Sequence, residues 1–243
     1  FVVPKFMTGF SSFEVVLGRY LFYSLISCLI FFKNGLPRYR LNVWLTALLF
    51  SFASTIFYYM CLVLALKYCD AAICALVLSI SPITIAFYGN WMEKEGDFRR
   101  LILPSILILL GLVILNVPHV QAANSIYTYG LGLVCSCFSL LTWSWYVVAN
   151  SRFLKRNPDV QSTNWSTLVG VVTLFWVLLW GIFSVTFFSD QIHWDKYESF
   201  NPELQAFIAG SMFLGCVCSW FGAFLWNKAS LYLPVSLAGQ LTI

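Results

Sequence analysis

Seven stretches of this chain run for about 17 to 24 residues with almost no charge: Ser12–Phe32, Val43–Leu66, Ala71–Met92, Leu101–Val117, Thr128–Asn150, Ser166–Phe188 and Leu204–Asn227. A helix that crosses a bilayer needs about 20 mostly apolar residues. The runs are apolar on every side, as helices facing lipid are. They do not alternate in segments of about ten residues, which excludes a membrane β-barrel. Shorter runs flank them, Phe1–Met7 and Tyr232–Ile243. These read as the end of a first span and the start of a ninth. The expected fold is an all-α polytopic membrane protein.

Composition supports a lipid solvent. Charged residues are 10% of the chain and hydrophobic residues 60%, against about 25% charge in a soluble domain. The net charge of +4 does not point to nucleic acid, because the basic residues are scattered among short connectors and form no face.

Those connectors carry topological information. Numbering the first partial run as span one, connectors 2–3, 4–5, 6–7 and 8–9 hold Lys33, Arg38, Arg40, Lys94, Arg99, Arg100, Arg152, Lys155, Arg156 and Lys228. The other connectors hold only Lys5, Lys67 and Lys196. This alternation is the positive-inside pattern and puts the first set in the cytoplasm. Connector 7–8, with Asp190, Asp195, Glu198 and Glu203, faces out.

Seven of the eight cysteines lie within apolar runs, and Cys69 has no connector partner, so no disulfide framework is expected. The pairs Cys135/Cys137 and Cys216/Cys218 cannot present two ligands from one helix face. They read as small packing residues, and no metal or cofactor is implied. An enzyme is disfavoured. The two histidines, His119 and His193, both fall in outer connectors, and no H-E-x-x-H or G-x-S-x-G motif occurs.

The chain also repeats itself weakly. At an offset of 164, Ala65 meets Ala229 and Tyr68 meets Tyr232, with small residues matched at Ala72/Ser236, Cys74/Ala238 and Ala75/Gly239. Units of five spans each would sit upside down relative to one another, an arrangement that marks secondary transporters. The division is residues 1–118, a connector 119–127, and residues 128–243. By the same logic the chain lacks the start of the first helix, the end of the ninth and the tenth.

The stretch "ALKYCDAAICALVLSISPI" from Ala65, followed by a connector opening on Glu93-Lys94-Glu95, resembles the EamA-like branch of the drug/metabolite transporter superfamily. The matching pattern is Ala-Leu-x-Tyr-x-x-Ala, with Pro82 in the following span, Glu93 at its end, Arg19 in span two and Gly111 in span five. The resemblance implies ten helices in two inverted five-helix repeats. It implies a bacterial inner membrane location, both termini of the full-length protein in the cytoplasm, and transport of amino acids, related metabolites or drugs.

Residues that could serve transport follow from position. Arg19 lies seven residues into its span. It is either a topology-fixing residue snorkelling outward or a gating or substrate residue. Glu14, five positions earlier, reads as a carboxylate at the membrane surface or a proton-coupling group. Pro82 breaks the backbone ladder of its span and leaves Ser79 nearby. Tyr58, Tyr59, Ser139, Trp143, Tyr146 and Trp220 offer aromatic walls with hydroxyls, suited to a cationic or zwitterionic molecule. Gln240 would fall in the ninth span, opposite Leu76 of the first copy. Small residues at every fourth position, Ser211, Gly215, Ser219 and Ala223, read as a close-packing ladder.

The expected partners are a small-molecule substrate and the bilayer, with no nucleic acid. Proton or ion coupling and oligomeric state stay open. A carrier of amino acids or related metabolites is the leading function. A channel, a non-transporting scaffold, and a carrier for nucleotide-type or phosphorylated metabolites are the alternatives. Phosphorylated substrates rank lower because fixed cations beyond Arg19 are lacking.

Overall fold

Ser11 opens the first long helix. Its hydroxyl accepts from the Glu14 amide, and the Glu14 carboxylate accepts from the Ser11 amide, the reciprocal capping box. This helix, α1 (Ser12–Asn34), closes at Gly35, whose φ of +68° suits a residue without Cβ. The computed structural model describes residues 9–35, 38–93, 126–187 and 192–233, with isolated positions outside these stretches. Five more helices long enough to span a membrane follow: α2 (Leu41–Tyr68), α3 (Ile73–Met92), α4 (Ile126–Arg156), α5 (Ser162–Phe187) and α6 (Pro202–Tyr232). Among the described residues there is no strand. Each helix coincides with one expected span. Most of the run Leu101–Val117, and the tail from Pro234 onward, lie outside the described residues.

The helices bury small polar residues beside an apolar core and expose many large apolar side chains. Small polar residues are buried, among them Ser27, Ser51, Ser136, Thr173, Ser184 and Ser230. Large apolar side chains such as Leu29, Leu45, Leu141, Leu178, Ile182 and Leu225 are exposed. In water this would expose a large apolar surface. In lipid it is the expected solution, because helix association there relies on close contact and interhelical hydrogen bonds. Ser51 and Thr173 share such a bond at 2.7 Å, and Asn227 donates to Ser166 Oγ at 2.8 Å.

Two helices leave α geometry partway. α2 is π-helical over Phe52–Phe57, and α6 over Phe213–Phe221. The sequence offset of 164 carries Phe57 onto Phe221, where both π segments end, and Tyr68 onto Tyr232, where both helices end. A third helix, α3, is interrupted. It falls within two helical pieces, Ala71–Leu78 and Ser81–Glu93, with Pro82 buried in the first turn of the second. A proline is tolerated there because that amide needs no helical partner.

The chain forms two compact units, one of residues 1–55 and 158–228, the other of residues 56–157 and 229–243. The first contains α1, the start of α2, α5 and most of α6. Within it α1 and α6 run parallel. Phe10 stacks on Phe207 with centroids 4.2 Å apart, Gly18 abuts Ser211, and Gly215 abuts Phe22. α1 and α5 run antiparallel, with Phe13 by Trp180 and Tyr23 donating to the Ser166 carbonyl. In the second unit α2 and α4 are antiparallel, since Ser139 reaches the Tyr58 carbonyl and Cys69 the Tyr129 carbonyl. α3 and α4 are parallel, since Thr84 meets Ser144 and Met92 meets Arg152.

Candidate functional site

Glu14 stands in the first turn of α1 and is only 4% exposed. Its place in the first turn keeps it at the end of the span, while the side chain itself is covered by protein. Burial of a carboxylate requires donors, and five converge on it. Oε2 accepts from Ser11 N at 2.7 Å, Ser11 Oγ at 2.9 Å and His193 Nδ1 at 3.0 Å. Oε1 accepts from Tyr197 Oη at 3.0 Å and His193 N at 3.1 Å. A carboxylate only accepts, so the His193 ring proton sits on Nδ1. His193 and Tyr197 belong to the segment that joins α5 to α6, with Tyr197 closing a short 3₁₀ turn, Trp194–Tyr197. Glu14 thus ties that segment to the start of α1. Burial, and then the neighbouring carboxylate, push the Tyr197 phenol well above the usual tyrosine range. Beside this cluster a groove of about 620 Å³ runs between α1 and α5, with apolar walls from Leu17, Leu21, Val177, Ile182 and Phe207.

Arg19 lies deeper on α1. Its Nε donates to Ser219 Oγ at 2.8 Å, and its guanidinium carbon lies 5.4 Å from the Tyr20 ring centre. The Ser219 hydroxyl donates in turn to the Leu214 carbonyl at 2.9 Å, five residues back. That span of five is the register of the π segment. The ladder Ser211, Gly215, Ser219 faces α1. A Cβ at Gly215 would meet the Arg19 carbonyl at 2.5 Å and the Tyr23 amide at 2.7 Å. Only glycine allows this approach.

In the second unit the structure brings together four of the residues singled out in the sequence. Tyr58 and Trp143 have ring centroids 5.5 Å apart, and Trp143 and Tyr146 5.6 Å apart. Ser139, one turn before Trp143, donates to the Tyr58 carbonyl at 3.2 Å. Tyr58 is the first residue after the π segment of α2. The result is a three-ring wall with a serine beside it and no ionised group in it.

The remaining candidates are dispersed. Tyr59 is half-buried on α2. Ser79 is exposed and turns its hydroxyl back to the Leu76 carbonyl at 2.6 Å. Trp220 belongs to the first unit, stacked on Phe224 with rings 10° from parallel, and its indole nitrogen is buried without a hydrogen-bond partner among the described residues. Gln240 lies outside the described residues. The eight cysteines are free thiols. Burial pushes Cys69 up to about 11, so it stays protonated and donates to the Tyr129 carbonyl. Among the described residues no cluster of His, Cys, Asp or Glu could hold a metal.

Sequence reasoning missed His193 and Tyr197 as partners of Glu14, and Ser219 as the partner of Arg19. One signal was available. Ser11-x-x-Glu14 spells a capping box, which commits the glutamate to the helix start. Nothing in the sequence links position 14 to position 193.

The model of the EamA-like transporter family matches residues 1–117. Along its whole length the chain is 29% identical to inner membrane protein YtfF of Escherichia coli (strain K12), covering 78% of that protein. A solved crystal structure of a protein 19% identical superposes with a TM-score of 0.67, covering 99% of this chain and 77% of that one. At that identity it speaks for the fold alone. A match to the EamA-like transporter family at residues 1–117, six helices of membrane-spanning grade among the described residues and a membrane-protein relative along the full length agree, and the chain is a multi-pass membrane protein whose residues 1–117 resemble the EamA-like transporter family.

Proposed function

We propose that the protein is a secondary carrier in a bacterial inner membrane that moves a small amino acid or related zwitterionic or cationic metabolite by alternating access. The observation that carries the substrate class is the wall of Tyr58, Trp143 and Tyr146. Centroid spacings of 5.5 and 5.6 Å group three rings of the kind that packs on an ammonium or a flat apolar group. Two features of the helices support the alternating mechanism. The π segments of α2 and α6 are related by the sequence offset that defines the repeat, and α3 is broken beside Pro82. Interrupted helices in corresponding positions of two repeats are a feature of such carriers. In this reading residues 1–118 and 128–243 are the two repeats. Glu14 is a coupling or gating group, and the lysine- and arginine-rich connectors face the cytoplasm.

The test is counterflow in proteoliposomes preloaded with single amino acids and polyamines. A carrier gives saturable, stereoselective exchange, and Trp143→Ala raises the half-saturation concentration of the transported compound. Linear flux for every compound would make the protein a channel and overturn the reading. A function outside transport is indicated if no compound exchanges.

A further inference from the structure

We propose that Arg19, held by Ser219, is an anion subsite that recognises a single carboxylate on the transported molecule; this rests on the carrier reading and narrows its substrate class.

α1 and α6 run parallel, so both start on the same membrane side. Gly215 sits against the Arg19 carbonyl. Ser219, which receives the guanidinium, lies one turn further from that side. Arg19 itself is about 10 Å into α1 at 1.5 Å per residue. A snorkelling arginine bends toward the nearer surface. This one reaches the other way, along α1 away from the nearer end, which does not fit a snorkelling side chain.

The anchoring is specific. The Ser219 proton is committed to the Leu214 carbonyl, which leaves the hydroxyl oxygen to accept from Arg19 Nε. The π register creates that arrangement, because the carbonyl five residues back is within reach of the hydroxyl. With Nε anchored, the guanidinium plane is fixed. Its two terminal amino groups have no hydrogen-bond partner among the described residues. No carboxylate among the described residues forms an ion pair with it, and Glu14, the acidic residue nearest in sequence, is turned to Ser11, His193 and Tyr197. The next residue, Trp220, carries a buried indole N–H that also lacks a partner among the described residues.

A guanidinium at membrane depth without a counter-charge is costly. A planar anion taking both terminal amino groups offsets that cost and matches the fork geometry. Charge selects a monoanion. The other lysines and arginines of the described membrane helices lie within four residues of a helix end, at Lys33, Lys67, Arg152, Lys155, Arg156 and Lys228. One interior cation balances one carboxylate and leaves a phosphate dianion uncompensated.

Reconstituted protein treated with phenylglyoxal tests this without knowledge of the natural substrate, using benzoate as the monocarboxylate probe and benzyl alcohol as its neutral counterpart. Modification at Arg19 is read by mass spectrometry. Benzoate is expected to slow it about tenfold and saturably, while benzyl alcohol leaves the rate unchanged. Ser219→Ala is expected to remove most of the protection, and Gly181→Ala, in a different helix, none. Equal Arg19 modification with and without benzoate overturns the subsite, as does full protection in Ser219→Ala. Counterflow on the same preparation separates the two readings. Saturable exchange with an unprotected Arg19 sinks the subsite and keeps the carrier. Protection alongside purely linear flux sinks the carrier and keeps an anion site.

Discussion

The carboxylate of Glu14 takes two hydrogen bonds from one residue, His193, through its backbone amide at 3.1 Å and its ring at 3.0 Å. One side chain therefore fixes both the path and the side-chain orientation of a segment remote in sequence. Glu14→Ala should leave five donors unanswered. We expect a loss of about 1–3 kcal/mol in stability and new proteolytic cleavage between α5 and α6. Glu14→Gln should lose less, because the amide oxygen can still accept. Thermal unfolding with limited proteolysis in nanodiscs reads both effects. An unchanged cleavage pattern in Glu14→Ala would remove the tie.

Tyr197 gives an alkaline signature. Its phenol proton is held more tightly in the folded protein than in the unfolded chain. A raised folded value means the contribution is whole below the unfolded value, about 10. It is lost as pH rises from there through the folded value. Wild type should therefore lose stability above pH 10, and Tyr197→Phe should show a shallower decline over the same range. Melting temperatures at pH 9, 10 and 11 decide it, and parallel curves would mean the phenol is not coupled to folding.

Two glycines make an internal control. A Cβ at Gly215 meets α1 backbone at 2.5 and 2.7 Å, whereas a Cβ at Gly181 meets nothing within 4 Å. Gly215→Ala should cost about 1–3 kcal/mol through forced separation of α1 and α6. Gly181→Ala should be neutral or slightly stabilising, since alanine is the better helix former. Denaturation of the two variants in the same detergent gives the comparison. Equal stabilities would show that α1 and α6 are not in close contact.

Trp143 sits between two other rings, so its removal opens the whole wall. Trp143→Ala should weaken the transported compound about tenfold, in line with loss of one desolvated ring contact. Trp143→Phe should retain most of the affinity. Competition counterflow measures both. Indifference to Trp143→Ala would move the substrate elsewhere.

The membrane helices were legible in the sequence because lipid enforces length and apolarity on every span. The runs at Ser12–Phe32 and Val43–Leu66 differ from the observed Phe13–Asn34 and Leu41–Tyr68 by one or two residues at each end. The aromatic wall was legible for a simpler reason. Ser139, Trp143 and Tyr146 recur at helical spacing, and Tyr58 stands out by type. What stayed hidden was orientation and partnership. Glu14 and Arg19 are both ionisable residues near one end of a span, and beyond the capping-box spacing of Ser11 and Glu14 nothing in the sequence separates their partners. One turns to the connecting segment before α6 and the other inward, because α6 supplies a hydroxyl to one and its preceding turn supplies an imidazole and a phenol to the other. The π segments were invisible too, since no residue type marks a register of five.

Those π segments carry a consequence for reading this chain. Each introduces a phase shift along its helix. One extra residue in a turn rotates everything after it by about 100°. A helical wheel drawn straight through Leu41–Tyr68 would put Phe50 and Tyr58 on the wrong relative faces. In α2 the shift falls where the chain passes from one compact unit to the other, between Thr55 and Ile56. The helix is thus two half-helices in different phase on one continuous backbone. Each half obeys the packing pattern of its own unit.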